Sequence, residues 1–117
     1  MKEGVLFMND QKTNIQDLKD NIEAFVQKRE WAQFHSPKNL AMSISIEAAE
    51  LMEIFQWLTV EEAWKIADDP ETFIHLKEEI ADVMIYCLSL ANRLDIDITM
   101  AIEDKVAKNE KRFPYIK

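Results

Sequence analysis

Glycine and proline are scarce in this chain of 117 residues: glycine occurs once, at Gly4, and proline three times. A β-rich domain of this length needs many glycine-containing turns, so the scarcity favours helices. Hydrophobic residues make up 48% of the sequence, more than a disordered chain carries. The length suits one domain with a modest core. We predict an all-α protein with a flexible lead-in over residues 1–13 and a single helical domain over residues 14–117.

The chain also lacks a second cysteine, long apolar runs and an excess of positive charge. Cys87 is the only cysteine, so no disulfide can form within the chain, and its apolar neighbours predict a buried structural thiol. The apolar stretch from Val5 to Met8 is too short for a secretory signal, and no run reaches the length of a membrane span. The formal net charge of −8 disfavours nucleic acid and anionic membranes as partners. The expected compartment is the cytoplasm.

Hydrophobic periodicity predicts five helical segments joined by short connections. Their expected bounds are Asn14 to about Glu30, about Asn39 to Leu58, a short segment capped by Thr59 and Glu62, Pro70 through Leu94, and Ile98 to about Lys111. The sequence His35-Ser36-Pro37 is expected to break the pattern between the first two segments. Short connections favour antiparallel neighbours, so we predict an antiparallel bundle of four to five helices.

Two pairs of acidic residues interrupt otherwise apolar helical segments. Glu47 and Glu50 form one pair, and Glu79 and Asp82 form the other, with a spacing of three residues in each. Side chains at this spacing lie next to each other on a helix, where like charges repel. Burying them without a partner would cost more still. If the two helices pack antiparallel, both pairs can converge on one cation.

The ligand types indicate which cation fits. Four carboxylates without a matching histidine favour Mg²⁺ or Mn²⁺ over Zn²⁺ or Cu²⁺. A di-iron bundle requires Glu-x-x-His pairs, whereas His75 precedes Glu78 in the reverse order. Spacing alone leaves an alternative open, in which the acids form solvated helix faces with bases such as Lys65 and Lys77.

The acidic pairs and the segments around them resemble the MazG-like nucleotide pyrophosphohydrolases, in particular the dCTP pyrophosphatase-like branch. The resemblance rests on Glu47-x-x-Glu50 and Glu79-x-x-Asp82, on REWAQFHSPKNL from Arg29 to Leu40, on Phe55-Gln56-Trp57, on Asp82-Val83-Met84-Ile85-Tyr86, and on Lys105, Asn109, Arg112 and Pro114. It covers roughly Phe25 to Tyr115. Glu53 and Glu78 are additional acids to which it assigns no role.

The resemblance implies an all-α hydrolase that cuts a nucleoside triphosphate between the α- and β-phosphates, giving a monophosphate and pyrophosphate. The expected substrate is dCTP or a related pyrimidine deoxynucleotide, and the expected role is housecleaning of the nucleotide pool. Mg²⁺, or Mn²⁺ in its place, would be held by Glu47, Glu50, Glu79 and Asp82. Glu47 or Glu50 is expected to orient the attacking water or accept its proton. The assembly implied is a homodimer or homotetramer in which one subunit completes a neighbour's pocket.

The same resemblance implies the substrate contacts. Lys38, Lys105 and Arg112 are expected to hold phosphates, and Asn109 phosphate or sugar. The expected base pocket comprises Trp31, His35, Trp57 and Tyr86, with the aromatic faces stacking and His35 offering a hydrogen-bonding edge. Phe25, Phe55 and Phe73 are assigned to the core instead.

Two other functions remain open at this stage. The same chemistry could act on dUTP or on a purine nucleotide, because base choice depends on the shape of the pocket. A helical interaction module without catalysis is the alternative from another class, and the complete set of four acids argues against it. A metal-storage bundle fits least, because the histidines that bind redox metals are missing.

Overall fold

The computed structural model describes residues 8–115, and the regular secondary structure within this range is entirely helical. Helix α1 spans Ile15–Lys28, α2 Pro37–Phe55, α3 Val60–Trp64, α4 Pro70–Leu94 and α5 Ile98–Arg112, with 3₁₀ turns at Trp31–Phe34 and Ile66–Asp68. The predicted all-α bundle is therefore confirmed. No helix within residues 8–115 is long and apolar enough to cross a bilayer.

Side-chain caps fix where the helices begin. The Asn14 side chain accepts a hydrogen bond from the backbone N–H of Asp17, and the Asp17 carboxylate accepts one from the N–H of Asn14. Thr59 and Glu62 form the same reciprocal box at the start of α3. These bonds satisfy N–H groups that lack a partner in the first helical turn. The box of Thr59 and Glu62 predicted from the sequence is thus observed.

The bounds of α2 differ from the prediction at both ends. Ser36 caps the helix by accepting a hydrogen bond from the N–H of Asn39, so α2 begins at Pro37 rather than at Asn39. Proline fits the first helical position because the missing N–H has no helical partner there and the ring presets the backbone angle. Helix α2 also ends at Phe55, before Leu58. Pro37 therefore starts the helix that it was expected to precede.

The expected lead-in falls partly outside the described residues, which begin at Met8. Residues 9–13 form a turn, in which the Asn9 side-chain oxygen accepts hydrogen bonds from the N–H groups of Gln11 and Lys12. The division into a lead-in and one domain over residues 14–117 stays a prediction.

The core lies where α2 and α1 pack against α4. Leu40 of α2 is 1% exposed, and the other buried apolar side chains of the core are Val26, Leu76, Leu88 and Ala91. Cys87, predicted to be buried, is half-buried. Helices α1 and α2 both bury apolar side chains against α4. The functional side chains of α2 therefore have a fixed position relative to those of α4.

Helix α5 lies outside this core and makes few contacts with the other helices. Its apolar side chains Met100, Ile102 and Val106 are exposed, Met100 by 63%. Exposed apolar side chains grouped on one helix are typical of a protein–protein contact surface.

Candidate functional site

The two acidic pairs lie on the two helices that pack most closely. Glu47 and Glu50 belong to α2, and Glu79 belongs to α4. One carboxylate oxygen of each of these three residues lies within 4.8 Å of the others. The spacing of three residues places Glu47 and Glu50 on one face of α2, and the packing of α2 on α4 adds Glu79 from the opposite side.

The carboxylate oxygens of this cluster lack the donors that buried acids normally have. Glu79 is 8% exposed. One oxygen of Glu79 and one of Glu47 are buried without a hydrogen-bond partner. An unpaired buried carboxylate is strongly unfavourable, and a divalent cation would relieve both the burial and the repulsion. Oxygen-only ligands of this geometry fit a hard cation.

The proximity of the carboxylates changes the pKa of Glu47. Burial raises this pKa to about 7, and the hydrogen bond to Glu50 and the negative charges of Glu50, Asp82 and Glu79 add to the effect. Asp82 therefore lies near enough to act on Glu47, although it is outside the tight group of three.

Asp82 also borders an aromatic cavity of about 430 Å³. Trp31, His35 and Tyr86 line this cavity. The ring centroid of His35 lies 6.5 Å from that of Trp31 and 6.5 Å from that of Tyr86. Three of the four residues predicted for the base pocket are thus brought together beside one of the predicted metal ligands.

The backbone after α1 explains how Trp31 reaches the cavity. Glu30 adopts a left-handed conformation with φ of 57°, which reverses the chain into the 3₁₀ turn that begins at Trp31. The Trp31 ring then meets the edge of Phe25 at a centroid distance of 5.5 Å. The Arg29 guanidinium covers the Phe25 ring at 3.6 Å, a cation–π contact that supports this arrangement.

Assigning Phe25 to the core was wrong. Phe25 lines the aromatic cavity and is 47% exposed. Apolar periodicity identifies the inner face of a helix but does not distinguish a packed core from the wall of a cavity. Asn21 and Ser89 supply polar groups to the same cavity and were not predicted. No motif marks them, because their position depends on how α1 lies on α4.

Trp57 is placed differently from the prediction. Trp57 was expected in the base pocket, on a helix that continues to Leu58, but α2 ends at Phe55. The Trp57 side chain is 85% exposed and does not line the aromatic cavity. Within one chain, Trp57 is therefore not joined to Trp31, His35 and Tyr86.

The expected phosphate contacts are also not assembled within one chain. Lys38 is exposed in the first turn of α2. Lys105, Asn109 and Arg112 lie on α5, which packs little against the helices that carry the acids. The guanidinium of Arg112 rests over the ring of Phe113 at 5.2 Å.

Together the fold and the site define a class: an all-α protein in which carboxylates of two packed helices lie beside an aromatic cavity. A sequence model of the MazG-like family matches residues 42–117. The chain belongs to the MazG-like family, which confirms the resemblance drawn from the acidic pairs.

Similar proteins are known at the level of sequence and of structure. dCTP pyrophosphatase 1 of Homo sapiens and that of Bos taurus are each 36% identical to this chain over 100 residues, which is 86% of this chain and 59% of each relative. The chain thus spans less than two thirds of the length of these curated relatives. The crystal structure of a pyrophosphatase from Archaeoglobus fulgidus matches with a TM-score of 0.79 and 38% identity, covering 92% of this chain and 99% of that chain.

The raised pKa of Glu47 leads to a prediction for the metal-free protein. In the unfolded chain Glu47 titrates near 4.5, and in the folded chain near 7. The folded state therefore binds this proton more tightly, and the resulting stability is fully present below about pH 4.5 and lost as the pH rises through about 7. We expect the free energy of unfolding in EDTA to fall over this range, measured by chemical denaturation. Glu47→Gln should flatten the fall, and identical pH profiles for the two proteins would contradict the assignment.

Proposed function

We propose that the protein is a nucleoside triphosphate pyrophosphohydrolase that depends on Mg²⁺, with Mn²⁺ as an alternative, and cleaves dCTP or a related pyrimidine deoxynucleotide to the monophosphate and pyrophosphate. The observation that carries the proposal is the position of Asp82, which acts on the acidic cluster and also lines the aromatic cavity. A cation site for phosphates and a flat-walled cavity for a base are thus adjacent. The names of the relatives, dCTP pyrophosphatase and pyrophosphatase, support this chemistry.

The acidic cluster would hold the cation through Glu47, Glu50, Glu79 and Asp82. The bound cation would neutralise charge that grows on the phosphate oxygens in the transition state. Of the four acids, Glu47 and Glu50 are the candidates for orienting the attacking water and accepting its proton.

The aromatic cavity would bind the base. Trp31 and Tyr86 offer faces for stacking, and His35 lies between them with a hydrogen-bonding edge. Asn21 and Ser89 add an amide and a hydroxyl to the cavity, which are the kinds of group that distinguish one base edge from another. The same chemistry with dUTP or a purine nucleotide remains the second candidate, and a panel of substrates separates the two.

A homodimer or homotetramer would complete the site. Trp57 does not line the aromatic cavity, and the α5 residues Lys105, Asn109 and Arg112 lie on a helix that packs little against α2 and α4, although their segments match the family pattern. The exposed apolar side chains of α5 favour burial against a second copy. We propose that association brings these residues of one subunit to the cavity of its neighbour. The cytoplasmic location stays a prediction.

The proposed activity predicts strict dependence on a divalent cation and on the acids. Glu50→Gln and Asp82→Asn should each lower kcat/KM by more than about 100-fold, because each removes charge that holds the cation. Pyrophosphate and monophosphate release from a panel of NTPs and dNTPs with Mg²⁺ provides the measurement, and circular dichroism checks the fold. Glu61→Gln, in the first turn of α3, is the matched control. Normal turnover of both site variants, or full turnover of the wild type in excess EDTA, would refute the metal mechanism.

The base pocket should be separable from the metal site. Trp31→Ala should weaken nucleotide affinity by roughly one to two powers of ten through lost stacking, with the metal requirement unchanged. Trp57→Ala should have a similar effect, since we place Trp57 at a neighbour's cavity. Trp64→Ala is the control, because Trp64 is as exposed as Trp57 and has no assigned role. If Trp57→Ala behaves like Trp64→Ala in KM and base preference, Trp57 does not belong to the pocket.

The assembly can be tested through α5. Light scattering should give a mass that is a multiple of the 13.7 kDa chain at micromolar concentration. Val106→Asp should lower both the mass and the activity, because it places a charge on the exposed apolar surface of α5. Glu103→Gln on the same helix serves as the control. A fully active monomer would exclude sites shared between subunits.

A further inference from the structure

His75 lies beside the acidic cluster and has no part in the function proposed so far. It occupies α4 one turn before Glu79, and its Nε2 lies 3.3 Å from Oε1 of Glu79. The His75 side chain is largely exposed, whereas the carboxylate that it meets is buried. The imidazole therefore connects the surface of the protein to the most deeply buried member of the cluster.

The two oxygens of Glu79 differ in their surroundings. Oε1 faces His75, while Oε2 is buried and has no hydrogen-bond partner. Glu47 and Glu50 provide the carboxylates that lie closest to Glu79 in the cluster. A hydrogen bond donated to Oε1 would fix the orientation of the carboxylate, so that its second oxygen takes one defined position.

His75 also borders the space next to Glu50. A cavity of about 380 Å³ is lined by Glu50, Glu53, Ile54, Thr72 and His75. The imidazole thus borders both this cavity and the Glu79 carboxylate. The contact survives a change of protonation, because Nε2–H is a donor both in the imidazolium and in one neutral tautomer.

We propose that His75 is a positioning residue for the metal centre: its Nε2–H holds Oε1 of Glu79 so that Oε2 is directed to the cation. Hydrogen bonds from outside the ligand shell commonly orient ligating carboxylates, and their loss weakens metal binding about 10- to 100-fold. The inference rests on the proposed metal site. It assigns to His75 an effect on cation affinity, and no contact with substrate.

Direct binding of Mn²⁺ to the metal-free full-length protein tests the proposal, with free Mn²⁺ measured by electron paramagnetic resonance. His75→Ala should weaken Mn²⁺ affinity about tenfold or more. His75→Gln should restore most of it, because the glutamine amide N–H can occupy the position of Nε2. Lys77→Ala is the matched control, since it removes a neighbouring cationic side chain of α4 without touching Glu79. Thermal unfolding without metal identifies any variant that loses its fold.

Activity gives an independent second readout. Because His75 acts through Glu79, His75→Ala should raise the Mg²⁺ concentration needed for half-maximal rate, and kcat should recover at saturating Mg²⁺. If the contact between His75 and Glu79 only stabilised α4, His75→Ala would change the thermal stability and leave both metal measurements unchanged.

The outcomes separate this inference from the proposed function. If Glu79→Gln weakens Mn²⁺ binding while His75→Ala binds with wild-type affinity, the metal site stands and the role of His75 is refuted. If His75→Gln is as weak as His75→Ala, the donated hydrogen bond is not what matters, and the proposal also fails. Absence of Mn²⁺ binding by the wild-type protein would overturn the proposed function and this inference with it.

Discussion

Repulsion among partly desolvated carboxylates is the constraint on which the rest of this structure depends. Glu47, Glu50 and Glu79 bring three acidic oxygens within 4.8 Å of one another between α2 and α4. Isolated helices would avoid this arrangement, so the hydrophobic packing of α2 on α4 around Leu40 must hold it in place. Burial and the neighbouring negative charges accordingly raise the pKa of Glu47 to about 7. The core therefore holds together a cluster of like charges that the two helices would otherwise separate.

Helix α4 links this charge site to the aromatic cavity. Glu79, Asp82 and Tyr86 follow one another along α4 at intervals of three and four residues, so a single helix carries both a member of the acidic cluster and a wall of the cavity. Helix α1 and the 3₁₀ turn after it complete the opposite wall with Phe25 and Trp31. A substrate with a phosphate group and a flat base matches this arrangement, because α4 fixes the distance between the two sites.

Helix α5 and Trp57 differ from the rest of the site because their large apolar side chains are exposed. A chain of this size has few ways to bury apolar surface internally, and α5 leaves Met100 and Val106 exposed. A second copy would cover such a surface, and it would do so with the helix that carries the basic residues of the family pattern. Stability and substrate binding would then depend on the same contact between subunits.

The sequence by itself determined the features that depend on neighbours along the chain. The helices, their caps at Asn14 and Thr59, and the two acidic pairs all follow from spacings of three or four residues, which fix positions on a helix. Only the tertiary structure decided how the helices pack against one another. Because of this packing, Glu79 is buried and Phe25 lines a cavity rather than the core. The tertiary structure also decided that Trp57 leaves the helical face of Glu50. These outcomes depend on contacts between residues far apart in sequence, for which helical periodicity carries no information.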